Sequence, residues 1–234
     1  RQFNNYTGSL DSIGAIPSYD AMRTVITVLA SGNPSINEKL VSGPYEVGGV
    51  APMGAAYLFV KDRTIDTVSE LSGKSIAVLE YDSAQASMAS RVGMSPVMSD
   101  ITNFSGRFNN GSVDICFAPI AAYSALELYK GMQPDGGMID YVLGQLTAQV
   151  ILKKDRFPDG YADSSRKYML GQFDRAMTVI ENANNEVDKK WWIRIPEADK
   201  LRYDEMMREA RIALTNDGVY SKDMMSLLRK VRCK

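Results

Sequence analysis

The side chains that could do chemistry in this chain are carboxylates, lysines, tyrosines and hydroxyls, because the sequence contains no histidine. Without imidazole, Ser-His-Asp and Cys-His catalysis and histidine-ligated zinc are excluded. No carboxylate pair has the spacing typical of a glycosidase or a two-metal site. The run Ser72-Gly73-Lys74-Ser75 precedes a predicted strand, whereas a phosphate-binding P-loop follows one, so we interpret it as a turn. The residues give no positive evidence for catalysis, and we expect no cofactor and no metal.

Strands and helices alternate along Leu71–Gly131. The predicted strands are Ser75–Glu80, Pro96–Met98 and Val113–Ala118, and a helical segment follows each of them. This order predicts a parallel sheet with right-handed crossovers. Ligands of such sheets bind outside the carboxyl ends of the strands, so we expect a ligand site there.

The candidate ligand-binding residues are therefore taken mainly from strand ends. In the alternating unit they are Tyr81, Asp82, Met98, Asp100, Asn103, Phe117 and Pro119. From the rest of the chain we add Gln145, Thr147, Arg1, Phe3 and Met53. Asp is also a favoured helix N-cap, so a purely structural role is the alternative for Asp82.

The flanking segments are predicted to be mostly helical. The apolar spacing predicts helices over Tyr19–Ala30, Tyr161–Lys190, Glu197–Asn216 and Ser221–Val231. Met138–Lys154 is predicted to be one strand, and its length is typical of a strand that crosses between two lobes as a hinge.

Composition excludes several kinds of partner. The 234 residues carry a net charge of −1, which gives no electrostatic footprint for nucleic acid. The longest weakly polar stretch, Val47–Val60, is too short to span a bilayer, so we expect no membrane insertion.

Cys116 lies in an apolar strand and is expected to be a buried free thiol, whereas Cys233 is either free or paired with a partner. Two cysteines alone do not fix the compartment.

Four segments carry a resemblance to a known family. They are Glu70–Val78 (ELSGKSIAV), Gly93–Val97 (GMSPV), Gly111–Asp114 (GSVD, followed by Pro119) and Leu146–Val150 (LTAQV). Their sequence and order resemble the DctP-like family of extracytoplasmic solute-binding proteins, which serve TRAP transporters.

The resemblance implies an α/β, two-lobed periplasmic-binding-protein-like fold with a long hinge-crossing strand and C-terminal helices. The first lobe is expected to comprise residues 1–70 and 145–190, including the long helix, and the second lobe residues 71–144. Residues 191–234 are expected to form helices packed on the lobes. Family members begin with a further βαβα segment, so the first lobe is expected to be incomplete at the N-terminus.

The resemblance implies capture of a small polar ligand between the lobes, delivery to the membrane permease subunits of a transporter, and no turnover. It also implies a periplasmic location, although the first residues lack the pattern of a signal peptide. One departure affects the ligand. The family has an arginine that clamps a substrate carboxylate where this chain has Ala77, and Arg1, Arg91 or Arg107 could substitute for it.

Within the family, Phe108–Gly111, Glu127–Gly131 and Arg229–Cys233 are similar to a sub-family of solute-binding proteins. Some of its members are labelled "RND-type efflux pump involved in aminoglycoside resistance". An RND pump has many membrane spans and this sequence predicts none, so we expect the label to be wrong about mechanism.

Two other functions stay open at this point. One is an accessory protein in aminoglycoside resistance, which would need a partner surface. The other is an enzyme on a similar two-lobed fold that uses Lys74, Glu80 or Asp82 as acid or base.

Overall fold

The computed structural model describes residues 1–232, which form a mixed eight-stranded sheet with helices on both faces. The strands are β1 (Val41–Ser42), β2 (Tyr45–Val60), β3 (Ser75–Leu79), β4 (Ser95–Ser99), β5 (Ile115–Pro119), β6 (Gly137–Ile139), β7 (Gly144–Lys153) and β8 (Trp192–Ile193). The α-helices are α1 (Asn5–Gly8), α2 (Tyr19–Leu29), α3 (Pro34–Asn37), α4 (Ser83–Arg91), α5 (Phe104–Asn109), α6 (Ala122–Ala125), α7 (Tyr129–Met132), α8 (Tyr161–Gly171), α9 (Phe173–Asn185), α10 (Glu197–Asn216) and α11 (Lys222–Arg232). Short 3-10 turns lie at Ser9–Asp11, Glu38–Leu40, Ser69–Leu71, Lys154–Arg156 and Lys189–Trp191.

The predicted parallel unit is present at one side of the sheet. The strand order is β4-β3-β5-β2-β6-β8. β3 pairs in parallel with β4, from Ser75 opposite Ser95 to Leu79 opposite Ser99, and in parallel with β5. The carboxyl ends of β3, β4 and β5 therefore meet at one edge, as the alternation of strands and helices predicts.

The long strand β2 pairs with β7 along its first part and with β5 and β6 at its end. The pairing with β7 runs from Tyr45 opposite Lys153 to Ala56 opposite Gly144. The ladder with β7 is interrupted by two register shifts. The second shift precedes Gly54, whose φ of 101° lies in the region that favours glycine.

The prediction of one strand over Met138–Lys154 is wrong, because this segment forms β6 and β7. Met138 pairs with Phe59 and Gly144 pairs with Ala56, so the segment advances six residues while β2 advances three. The excess residues loop out between the two pairings. The longest continuous strand of the sheet is therefore β2, with 16 residues.

Two predicted helices are also divided. The segment Tyr161–Lys190 contains α8 and α9, which are separated next to Gly171, a residue of low helix propensity. The helical segment predicted to follow Val113–Ala118 is interrupted at Glu127, whose φ is +51°, so α6 and α7 are separate single turns. The helix predicted over Glu197–Asn216 is confirmed as α10.

Three apolar clusters hold these elements together. One packs α4 and α10 against one face of the sheet around Val78 and Tyr203, and another packs α5 and α9 against the opposite face around Phe59. The third joins α1, α2 and α11 to the first part of β2 around Met22 and Leu228. Each large side chain buried in this way stabilises the fold by roughly 1.5–3 kcal/mol.

The prediction for Cys116 is confirmed. This thiol is fully buried and free in the second cluster, and burial raises its pKa far above the ordinary range. Cys233 lies outside the described residues.

Candidate functional site

A polar cavity of about 440 Å³ lies where the turn after β3 faces β7 and the first residues of the chain. We call it the Asp11 cleft. Its wall includes the polar or charged side chains of Arg1, Asp11, Tyr81, Asp82, Thr147 and Gln149. They come from three separate parts of the sequence, so the cleft exists only in the folded chain.

The β3–α4 turn places Asp82 at the cleft. Its Oδ1 atom accepts hydrogen bonds from the backbone N–H groups of Ala84 and Gln85, both at 3.2 Å, and so caps α4. The same oxygen lies 2.7 Å from Nη2 of Arg1. One carboxylate oxygen therefore starts a helix and holds a guanidinium at the cleft wall.

Asp11 ends the 3-10 turn Ser9–Asp11 and faces β7. The hydroxyl of Thr147 donates a hydrogen bond of 2.6 Å to Oδ1 of Asp11. Burial raises the pKa of the Asp11 carboxyl to about 7, against the opposing effects of the Thr147 hydrogen bond and the charge of Arg1. This carboxyl can therefore change its charge near neutral pH, or pair with a cationic or hydroxyl group that enters the cleft.

Alternate residues of β7 form one wall of the cleft. Thr147, Gln149 and Ile151 share a face of the strand, because side chains alternate along a strand. Gln149 accepts a hydrogen bond of 2.8 Å from the hydroxyl of Thr7 and donates one of 3.0 Å to the Thr7 carbonyl. This reciprocal pair fixes α1 against β7 and gives the cleft a rigid wall.

A smaller cavity of about 30 Å³ shares Arg1, Asp11 and Asp82 with the cleft. Its wall includes Phe117 on β5 and Tyr220 in the turn between α10 and α11. The Arg1 guanidinium carbon lies 5.3 Å from the centre of the Tyr220 ring, which is a cation–π distance. Burial raises the pKa of Tyr220 to about 12, so its hydroxyl keeps its proton at neutral pH.

A further cavity of about 610 Å³ is lined by Tyr19, Tyr57, Gln145 and Glu181, among others. We call it the Gln145 pocket. The Gln145 residue is only 4% exposed, and within residues 1–232 its Oε1 has no hydrogen-bond partner. A buried carbonyl oxygen without a donor is costly, so a ligand N–H or O–H group that reached it would be favoured.

Most of the predicted site residues meet at these cavities. The Asp11 cleft contains five of them, namely Arg1, Phe3, Tyr81, Asp82 and Thr147. Phe117 lies in the adjoining small cavity and Gln145 in the pocket named after it.

Five predicted residues line none of these three cavities: Met53, Met98, Asp100, Asn103 and Pro119. The carboxylate of Asp100 already accepts hydrogen bonds within its own turn, from the backbone and the side chain of both Thr102 and Asn103. Met53 and Met98 are exposed, and Pro119 pairs with Ala56 in the sheet.

Asp11 and Gln149 of the Asp11 cleft, and Tyr220 of the adjoining small cavity, are among the lining residues that were not predicted. Gln149 could have been found from Thr147, because it is two residues further along the same strand. Asp11 lies in a segment rich in Gly, Asn and Ser that is typical of a loop. Tyr220 is brought to the cleft by the packing of α10 and α11, and no local pattern indicates this.

Ala77 has no cationic neighbour on its paired strands. It is fully buried in β3, where it pairs with Val97 and Cys116. Of the arginines considered as substitutes, Arg1 lies in the Asp11 cleft, and Arg91 pairs with Asp217 at 3.0 Å.

Within residues 1–232, no group of three or more His, Cys, Asp or Glu residues is placed to hold a metal ion. No helix in the same range is both long and apolar enough to cross a bilayer.

A curated relative aligns with the whole chain. It is the probable solute-binding protein AdeT1 of Acinetobacter baumannii, which is 42% identical over 234 residues, covering 100% of this chain and 76% of that protein.

Solved structures of TRAP periplasmic solute-binding proteins share the fold. One from Desulfovibrio salexigens, with bound orotic acid, has a TM-score of 0.79 at 17% identity, covering 98% of this chain and 76% of that chain. One from Shewanella oneidensis, with bound succinate, has a TM-score of 0.78 at 12% identity and the same two coverages. The predicted α/β, two-lobed fold and the resemblance to TRAP binding proteins are confirmed.

The sequence profile of a single protein family, described as solute-binding protein AdeT 1/2, matches residues 1–234. The chain therefore belongs to the AdeT 1/2 family of solute-binding proteins.

Proposed function

We propose that this chain captures a small polar solute in the Asp11 cleft, in the periplasm, and presents it unchanged to the permease subunits of a TRAP-like transporter. The observation that carries the proposal is the convergence of polar groups on one cavity. Asp11, Thr147 and the Arg1–Asp82 pair come from separate segments and line the same space. A cavity with a few convergent polar groups is the usual form of a small-molecule site.

The arrangement of the two halves supports closure around the solute. We propose a first lobe of residues 1–70 and 145–190, a second lobe of residues 71–144, and C-terminal helices over residues 191–234. In this division Asp11 and Thr147 face Asp82 across the lobes, and β2 is the hinge strand. Closure of two lobes about a few backbone positions is a common response to ligand.

The charge of the cleft favours one class of solute. The relatives of known structure bind orotic acid and succinate, which are both carboxylates. Here Ala77 replaces the family arginine, and Arg1 already pairs with Asp82. With two carboxyl groups, Asp11 and Asp82, against one guanidinium, the cleft favours a solute with hydroxyl or amino groups over a dicarboxylate.

A thermal-shift screen tests the proposal. The full-length protein would be screened with organic acids, amino acids, sugars and aminoglycosides, since a ligand of the native state raises the unfolding midpoint. We expect a hydroxylated or amino-bearing solute to bind with a free energy of about −8 kcal/mol or better and to be recovered unchanged. A dicarboxylate ligand would contradict the proposed class, and conversion of the solute would contradict the absence of turnover. An aminoglycoside as the ligand would favour the role in drug resistance.

Two variants test whether the solute binds in the Asp11 cleft or in the Gln145 pocket. Thr147→Val keeps the shape of the side chain and removes the hydroxyl bonded to Asp11, so we expect it to weaken binding about tenfold, which is about 1.4 kcal/mol. Gln145→Leu removes the unpaired oxygen of the other pocket and should leave the affinity unchanged. The opposite result would place the solute in the Gln145 pocket.

A further inference from the structure

A further cavity lies between the two C-terminal helices, α10 and α11. Its volume is about 820 Å³, and it shares no lining residue with the Asp11 cleft or the Gln145 pocket. Within residues 1–232 its wall carries no carboxylate and six cationic side chains: Arg208, Arg211, Lys222, Arg229, Lys230 and Arg232. We call this cavity the basic groove.

Three carboxylates near the basic groove have partners outside it. On the turn after α10, Asp217 pairs with Arg91 at 3.0 Å, and on α11, Asp223 pairs with Lys39. On α10, Asp204 accepts a hydrogen bond from Tyr141. None of the six groove cations forms an ion pair within 4.0 Å inside residues 1–232.

The excess positive charge is local. The whole chain has a net charge of −1, so the six cations of the groove are balanced by acidic residues elsewhere. Burial, with the neighbouring Arg232 charge, lowers the pKa of Arg211 to about 10. Within residues 1–232, Nη1 of Arg232 is buried without a hydrogen-bond partner. Partly buried like charges destabilise one another, and a bound anion would relieve that cost.

We propose that the basic groove binds a soluble polyanion that carries two or more phosphate groups. Guanidinium groups bind phosphate oxygens in a bidentate manner, and the groove supplies Arg208 and Arg211 from α10 and Arg229 from α11. Cations from two helices face one concave space, which suits a compact ion with several charges. A flat membrane surface fits a concave groove less well, so we assign the site to a soluble anion.

Calorimetric titration of the full-length protein with sodium tripolyphosphate tests this site. Measurements at about 0.15 M ionic strength suppress weak contacts between distant exposed charges. The groove variant is Arg208→Gln/Arg229→Gln, which removes two exposed charges from the groove. The matched control is Arg175→Gln/Arg194→Gln, which removes two exposed charges outside the groove. We expect the control to bind like the wild type and the groove variant to bind at least about tenfold more weakly.

A second groove variant distinguishes a loss of binding from a folding defect of the first variant. Lys222→Gln/Lys230→Gln also removes two exposed charges from the groove, and it should weaken tripolyphosphate binding in the same direction. Equal losses in the groove and control variants would reduce the effect to net charge and overturn the proposal. Failure of the wild type to bind tripolyphosphate would do the same. Binding only to phosphatidylcholine vesicles that contain phosphatidylglycerol would assign the groove to a membrane surface instead.

Discussion

At the residue scale, Asp82 combines two roles that different substitutions can separate. Its Oδ1 atom caps α4 and also pairs with Arg1. Asp82→Ala removes both interactions, and the loss of the cap should lower the free energy of unfolding by about 1 kcal/mol. Asp82→Asn keeps an oxygen that can cap the helix and removes only the charge. Urea unfolding measures the first effect, and solute titration measures the second.

The two substitutions should therefore differ in stability and agree in binding. We expect Asn to retain most of the stability that Ala loses, because Asn and Asp are equally favoured as N-caps. We expect both to weaken solute binding, because both release Arg1. Unchanged affinity in both variants would remove Asp82 from the solute site.

Asp11 gives a prediction for the effect of pH. Its pKa is raised in the folded chain from the ordinary 3.8 to about 7, so the folded state binds more protons than the unfolded state between these values. The free energy of unfolding should therefore fall as the pH rises from about 4 to about 7 and then level off. The chain has no histidine, so no imidazole titration overlaps this range.

Unfolding curves at several pH values, for the wild type and Asp11→Asn, test this prediction. Asn cannot ionise and keeps an oxygen that can accept the Thr147 hydrogen bond. The variant should lose less stability than the wild type over the same rise in pH. Parallel pH profiles for the two proteins would contradict the raised pKa.

The sequence predicted the cleft residues that follow from local rules. Tyr81 and Asp82 come directly after a strand, and Thr147 lies on a strand that faces them. Asp11 and Tyr220 lie in a loop-like segment and a helix connection, and tertiary packing alone brings them to the cleft. Asp100 satisfies the same strand-end rule but caps its own turn, so the rule does not separate ligand residues from caps.

At the element scale, Gly54 governs the path of β2. Its φ of 101° is one that other residues rarely adopt, and an added Cβ would lie 3.1 Å from Ile120 Cγ2 and 3.2 Å from Ile180 Cγ2. Gly54→Ala should therefore lower the free energy of unfolding by about 1–3 kcal/mol, as measured by urea unfolding. It should also weaken solute binding, because the two proposed lobes meet at this bend.

Gly106 provides the matched control. It lies in α5, and apart from its chain neighbours and the backbone of its own helix, no heavy atom of residues 1–232 would lie within 4 Å of an added Cβ. Gly106→Ala should be neutral or stabilising by up to about 1 kcal/mol, since it restricts the unfolded chain without strain. A similar loss of stability in both variants would show that the backbone at Gly54 has no special role.

Arg166 attaches α8 to β2. It is only 3% exposed and donates hydrogen bonds to Glu46 Oε1 at 3.0 Å, to the Val47 carbonyl at 2.7 Å, and to Asp163. Arg166→Ala should lower the free energy of unfolding by about 3 kcal/mol, because it leaves partly buried acceptors without their donor. The exposed neighbour Lys167→Ala should change it by no more than about 0.5 kcal/mol in the same urea experiment. Equal effects of the two substitutions would contradict this role.

Some helices and strands could be predicted from the sequence pattern of one segment alone, and others could not. The parallel unit was predicted because short apolar runs mark its strands, and α10 because a proline precedes it and the Asn216-Asp217-Gly218 turn ends it. The division of Met138–Lys154 depends on which residues of β2 it pairs with, and a pairing register is not visible within one segment. The pairing of β2 with β5, β6 and β7 likewise shows that it is one continuous strand of 16 residues.

At the scale of the whole molecule, the C-terminal helices connect the basic groove to the Asp11 cleft. Arg211, in the groove wall, donates a hydrogen bond of 2.7 Å to the Ile13 carbonyl. The N–H of Ser221, at the start of α11, donates one of 2.8 Å to the hydroxyl of Ser9. Ser9 and Ile13 flank Asp11, so the segment that carries Asp11 rests directly on these helices.

Hydrogen exchange, followed by mass spectrometry on the full-length protein, can examine both sites in one experiment. A captured solute should slow exchange on both sides of the cleft together, over residues 4–11 and residues 80–85, because closure protects both lobes. Tripolyphosphate should instead slow exchange in residues 208–232 around the groove. Slower exchange on one side of the cleft only would contradict closure. If either ligand slows exchange in both regions, the two sites are coupled, and the hydrogen bonds to Ile13 and Ser9 are the contacts that join them. Each ligand should then change the affinity of the protein for the other ligand by the same factor.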